Sequence, residues 1–313
     1  MATKKQIQAW IPLAKAIFCS HMGIPISTLP EIHIVGKREL LPVRSALVEK
    51  TGCHQRNTDV KHYDSIMEAL HGDLGDAILI QQSLIPSPKQ TPMAEFLFRH
   101  FLWHEFGHFY AIRHECPSDN LHRFNDQVLS EEKAKQHGYW FWSEFIGESI
   151  SLYVEERYHS IDRRAYYHPE LIAWEPEAWG GLSDKLLNLL EMAFTAYPTT
   201  IDEKALAMYF ATLLMDDATK RYVRAAEEGL LRVHDPKRGS RRTKPGGIEP
   251  TCISDQPEAY QDALWGMKEI LEKQMAKEHF WEIDENWLEM LGQKIVDMES
   301  EKIALLAVGM MEQ

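Results

Sequence analysis

The segment His104-Glu105-Phe106-Gly107-His108 carries the residue types and spacing of a metal centre. Two histidines four residues apart lie on one face of a helix, about 40° off alignment and roughly 6 Å apart along its axis. That separation suits two imidazole nitrogens binding one zinc ion. The glutamate between them sits beside the first ligand, where it can take a proton from a metal-bound water. The chemistry such a set could do is zinc-dependent hydrolysis, with His104 and His108 as ligands and Glu105 as the base. Gly107 costs a helix about 1 kcal/mol relative to Ala. Its presence is explained if something packs closely against the helix beside the metal.

A catalytic zinc takes three protein ligands and keeps a fourth position for water. The candidate third ligands lie in Trp142-Ser143-Glu144-Phe145-Ile146-Gly147-Glu148. Glu144 and Glu148 face the same way on a helix, embedded among Trp140, Phe141, Phe145, Ile146 and Ile150. Acidic groups on so apolar a face are costly to bury without partners, and a metal and a histidine N–H would both serve. His100, one turn before His104, is either a fourth nitrogen or a histidine packed behind the site, and the second is expected. His114 is expected at the surface.

His-Glu-x-x-His followed by Glu144-x-x-x-Glu148 on a second helix resembles the gluzincin branch of zinc metallopeptidases, the class of thermolysin. In scale the chain resembles the smaller bacterial proteins of the ImmA/IrrE type. The resemblance covers residues 76–159 at most. It implies Glu144 as third ligand and Glu148 as the group holding a ligand histidine by its other ring nitrogen. It also implies an edge strand beside the metal helix that pairs with an extended substrate, for which Ala77 to Gln82 is the candidate.

A hydrolase also needs a donor for the developing oxyanion. Tyr110, Tyr139, Tyr153, Tyr158, His159 and His168 all have suitable chemistry. The alternative to a peptidase is a regulatory or protein-binding module on a zincin scaffold, with narrow or no proteolytic activity. A structural zinc site fits less well, because Cys116 is the one cysteine near the motif. Zinc is the expected metal, although two histidines and a carboxylate also suit iron, manganese or nickel.

These groups need elements to position them. Thr91 as N-cap and Pro92 at the first helical position predict a helix over 92–115, and Pro117 disfavours its continuation. The aromatic run predicts a second helix over 139–159. Before them, Ile7, Trp10, Ile11, Ala14, Ile17 and Phe18 form an amphipathic first helix. Strands are expected at Glu31–Val35, more weakly at Ala46–Val48, and at Asp76–Gln81, with a short helix at Ser65–Leu70. Residues 117–128 read as a loop. Helical patterns continue over 183–197, 201–216, 218–232, 256–277 and 283–306. The expected fold is α+β: a zincin-like domain over 1–165, with a small mixed sheet and metal-binding helices, then a mainly α-helical region over 166–313. The boundary is set by Tyr166, Tyr167, Pro169, Pro176 and Gly180-Gly181.

A net charge of −13 disfavours nucleic acid as a partner. The basic stretch Lys237, Arg238, Arg241, Arg242 and Lys244 reads as a solvated loop. No apolar run approaches the roughly 20 residues that span a bilayer. Cys19, Cys53, Cys116 and Cys252 are scattered, as expected of free thiols in a reducing compartment. A cytoplasmic protein acting on a peptide or protein substrate is the expectation.

Overall fold

The computed structural model describes residues 1–53, 65–91, 94–115, 121–125, 132–161, 182–195, 198–214, 253–254 and 256–311. The fold is α+β, mostly helical, with one three-stranded mixed sheet. The chain divides into two units. The first comprises Met1–His114, Asn125–Gln127 and Ile146–Asp162, and the second Glu115–Phe124, Val128–Phe145 and Arg163–Gln313. Segments of the two units alternate along the chain, which passes from the second to the first inside one helix. The expected boundary near 165, His168, the helix at 218–232 and the basic stretch at 237–244 lie outside the described residues.

In the first unit, helix α1 (Lys4–Met22) opens on a capping box between Thr3 and Gln6. Its buried face is Ile7, Trp10, Ala14, Ile17 and Phe18, as the periodicity requires. Strand β1 (Glu31–Val35) leads to helix α2 (Leu40–Thr51). The expected strand at Ala46–Val48 is therefore wrong. Leu40, Arg44, Leu47 and Thr51, at helical spacing, are the buried positions, and Arg44 forks onto Glu68 with a closest approach of 2.7 Å.

Strand β2 (Met67–Gly72) and strand β3 (Gly75–Gln81) form a hairpin. The expected helix at Ser65–Leu70 is thus also wrong. Met, Glu, Ala and Leu are good helix formers, and cross-strand pairing with burial overrides that preference. The strand order is β1-β3-β2, with β3 parallel to β1 and antiparallel to β2. Ala77–Gln81 is therefore central, its ladder filled on both sides, and is not the edge that would pair with a substrate. Its Ala-Ile-Leu-Ile run is buried throughout, as a strand flanked on both sides should be. Val35, Leu40, Leu47, Leu70, Ala77 and Leu79 make the core between one sheet face and α2.

Helix α3 (Ala94–His114) lies against α1 and β2. Phe106 meets Phe18 edge-on at 5.1 Å, and Trp10 meets Phe98 at 5.4 Å. The Trp103 indole N–H donates to the Ala14 carbonyl at 3.0 Å. Near its end, Arg113 donates twice to Asp76 on β3, at 2.9 and 2.6 Å, and Asp76 also faces His71 at 3.0 Å. The second long helix, α4 (Lys133–Ile161), extends the expected 139–159 at both ends.

In the second unit, the first part of α4 joins α5 (Leu182–Thr195), α6 (Glu203–Leu214), α7 (Glu258–Met275) and α8 (Glu285–Met311). These four match the expected helices there. Leu121–Asn125, within the stretch read as loop, forms a short 3₁₀ turn. Helices α4 and α8 cross on glycine: a Cβ at Gly138 would collide with the Leu288 carbonyl, and one at Gly292 with the Ala134 carbonyl. Beside this crossing His137 is buried, with Nδ1 on Glu203 and Nε2 3.7 Å from Glu299. Glu299 also takes Lys133 at 3.0 Å and the Ile201 N–H at 3.3 Å. Among the described residues, no helix is long and apolar enough to cross a membrane.

Candidate metal centre

Helix α3 turns His100, His104 and His108 onto one stripe, one turn apart, as 3.6 residues per turn dictates. Helix α4 turns Glu148, Ser151 and Glu155 toward that stripe. The two helices approach closely because both carry glycine at the contact. A Cβ at Gly107 would lie 3.0 Å from both Cα and O of Gly147 and 3.3 Å from the Ile150 Cβ. The close packing that Gly107 suggested is therefore present, against Gly147. Gly147 also makes room for the imidazoles: a Cβ there would stand 3.0 Å from His108 Cε1 and 3.1 Å from Nε2 of each histidine.

The rings of His104 and His108 meet nearly perpendicular, at 80°, with their Nε2 atoms 3.0 Å apart. Both residues are buried. His104 Nδ1 lies 3.2 Å from Glu148 Oε2. An ionised carboxylate can only accept, so Nδ1 carries the proton, and in the neutral ring that leaves the lone pair on Nε2.

A carboxylate oxygen of Glu144 joins the two imidazoles in a group whose ligand atoms all lie within 4.8 Å of one another. Lys204 on α6 places its Nζ 3.2 Å from Glu144 Oε2. Glu105 follows His104 on α3 and is half-buried.

The donor set fits a metal. Two ligands about 2.05 Å from a tetrahedral ion stand about 3.3 Å apart, near the 3.0 Å between the two Nε2 atoms. Two neutral imidazoles and one carboxylate form a common catalytic zinc set. Glu148 on the far nitrogen of His104 supplies the outer support such ligands take.

Behind the pair, the polar stripe continues. Glu148 Oε1 is 3.4 Å from His100 Nε2, and His100 Nδ1 is 3.1 Å from Glu155 Oε2. Ser151 Oγ donates to the His100 carbonyl at 2.9 Å. Burial by itself lowers the pKa of His100, but Glu148 and Glu155 outweigh it and push it up to about 10. Burial by itself raises Glu148, yet His100 and His104 hold it well below the usual carboxylate range. His100 is thus packed behind the site, as expected, and His114 is exposed at the end of α3.

Other expected participants have structural contacts. Tyr139 is buried beside Trp142, with ring centroids 5.9 Å apart. Tyr158 packs on Trp103, with Arg99 over its ring at 5.7 Å. Tyr110 is buried and lies beside His114, and Tyr153 is half-buried on α4. The His159 side chain lies outside the described residues.

Gly147, Ser151, Glu155 and Lys204 escaped the sequence reading. Ser151 and Glu155 follow Glu148 at helical spacing and were recoverable from it. Gly147 carries the same signal as Gly107, a glycine inside a helix. Lys204 sits on a different helix and has no local signature. The chain matches no protein-family model, no curated protein and no solved structure.

Proposed function

We propose that this chain is a zinc-dependent hydrolase, most simply a metallopeptidase of gluzincin type. His104, His108 and Glu144 are the ligands and Glu148 orients His104. The observation that carries the reading is the convergence of the two Nε2 atoms at 3.0 Å within reach of a Glu144 oxygen. Zinc bound there would polarise a carbonyl and lower the pKa of its water to about 7.

With a metal held there, Glu105 would serve as the base toward the attacking water and as the proton donor to the leaving amine. It is suited to this by its place beside His104 and its partial exposure. Gly147 keeps the space next to the imidazoles clear, and Glu148 keeps the His104 lone pair aimed. The substrate is a peptide or protein. Buried thiols at Cys19 and Cys53 and the acidic composition support a cytoplasmic setting.

The test is zinc content by elemental mass spectrometry, with hydrolysis of a peptide library, for wild type, Glu105→Gln and Glu144→Ala. One zinc per chain is expected in wild type and Glu105→Gln. Hydrolysis should fall by about 10²–10⁴-fold in Glu105→Gln, the usual contribution of a general base. Zinc should be weakened in Glu144→Ala. Undiminished hydrolysis in Glu105→Gln, or a wild type that retains no supplied zinc, would overturn the reading.

A further inference from the structure

A histidine aims a lone pair at a metal only in one tautomer, and something must choose it. Here the choice is made three residues deep. Glu148 faces His104 through Oε2 at 3.2 Å and His100 through Oε1 at 3.4 Å. His100 in turn has Glu155 on its other ring nitrogen at 3.1 Å, with Ser151 Oγ also at 3.1 Å. Both carboxylates are buried.

A neutral imidazole has one N–H and one lone pair. Between two carboxylates, its lone pair would point at an anion. The doubly protonated ring donates to both, and burial strengthens each of those hydrogen bonds. The direction of the His100 pKa, up to about 10, agrees. With His100 donating to Oε1, Glu148 is anchored at one oxygen and presents the other to His104 Nδ1.

We propose that His100, clamped between Glu148 and Glu155, is a positioning residue that fixes His104 with its proton on Nδ1 and its Nε2 turned toward His108. The role concerns the metal pair of the proposed hydrolase and rests on that reading for its purpose. It acts, however, on the metal-free protein and is measurable there. His100 is not one of the three proposed ligands and acts through Glu148. Glu155 and Ser151 belong to the same device: Glu155 accepts a hydrogen bond from the second ring N–H of His100, and Ser151 ties the His100 carbonyl to α4.

The experiment is side-chain ¹⁵N NMR of the full-length, metal-stripped protein at pH 7, which separates the two histidine tautomers. Zinc affinity is measured alongside by competition with a chelator. Wild-type His104 is expected as a single Nδ1–H species. In His100→Gln, which cannot donate from two opposed ring positions, His104 should become a mixture of tautomers. Zinc binding should weaken about 10–100-fold, as when a ligand histidine loses its outer support.

Glu155→Gln tests the far side of the clamp without touching Glu148. It is expected to shift His104 in the same direction by a smaller amount, and it serves alone if His100→Gln does not fold. A His104 that remains wholly Nδ1–H in these variants overturns the proposal, whatever zinc does. A tautomer shift in a protein that binds no zinc leaves the clamp standing and removes the hydrolase reading. Zinc binding with unmoved tautomers does the reverse.

Discussion

Helix α4 meets α8 at Gly138 and α3 at Gly147, and a histidine is buried beside each contact. At the first, His137 has a carboxylate on both ring nitrogens, Glu203 at Nδ1 and Glu299 at Nε2. At the second, Glu148 lies against Nδ1 of His104, and the Nε2 of His104 faces that of His108 at 3.0 Å. A histidine held between two acids is a brace between helices. A pair of histidines whose ring nitrogens face each other, with a carboxylate behind one of them, has the arrangement proposed above for a ligand set. The glycines do different work too. At Gly138 and Gly292 the missing Cβ makes room for backbone carbonyls of the opposite helix, whereas at Gly147 it makes room for imidazole edges.

This contrast can be broken in graded steps. Glu148→Gln removes the charge that His100 and His104 share, and should cost about 3 kcal/mol at pH 7, the low end for breaking a buried ion pair. Urea denaturation measures it. The cost should depend on pH. His100, raised to about 10, contributes stability that is complete below its unfolded value and is lost as pH climbs toward 10. Glu148, held low, contributes stability present above its unfolded value and lost only as pH falls through its depressed one. The gap between wild type and variant should therefore be widest between about pH 5 and 7. A gap independent of pH would remove the electrostatic account of this stripe.

The next step exchanges the glycines. Gly138→Ala should lower stability by about 2 kcal/mol, since its methyl group meets a backbone carbonyl. Gly147→Ala should change stability by less than about 1 kcal/mol, because the gain in helix propensity offsets the crowding. It should instead weaken zinc, because its methyl presses on both imidazoles. Thermal melts and zinc titration of the two variants should give opposite rankings, and equal losses of stability would erase the distinction.

The smallest effect is expected at the brace. Burial raises Glu203, and His137 offsets that only in part. A carboxylate raised in the folded state loses stability as pH rises from its unfolded value through its folded one. Wild type should therefore compare best with Glu203→Gln near pH 4 and less well at pH 7, opposite in sign to Glu148. A gap that widens with pH would place both histidines in one class.

Which side chains share a face was legible because helical spacing is a local property: counting puts His100, His104 and His108 on one stripe and Glu144 and Glu148 on another. The separate roles of the two glutamates came from the resemblance and not from counting. The failures were of other kinds. Met67–Leu70 has helix-forming residues, and its strand depends on the ladder with β3. Ala46–Val48 reads as a strand as a triplet but belongs to a longer helical period through Leu40, Arg44 and Thr51. That β3 is central depends on β1 crossing over to its far side, which no single segment encodes. Lys204 beside Glu144 is likewise a meeting of distant elements.

Hydrogen bonds from Trp103 to Ala14 on α1 and from Arg113 to Asp76 on β3 hold α3 on either side of His108. Together they fix the angular phase of the helix. A spin of about 20° about its axis would swing a side-chain tip by about 2 Å, ten times the tolerance of about 0.2 Å on a metal–ligand distance. A salt bridge at the tip of a β-hairpin thus acts as a sighting adjustment for the imidazoles.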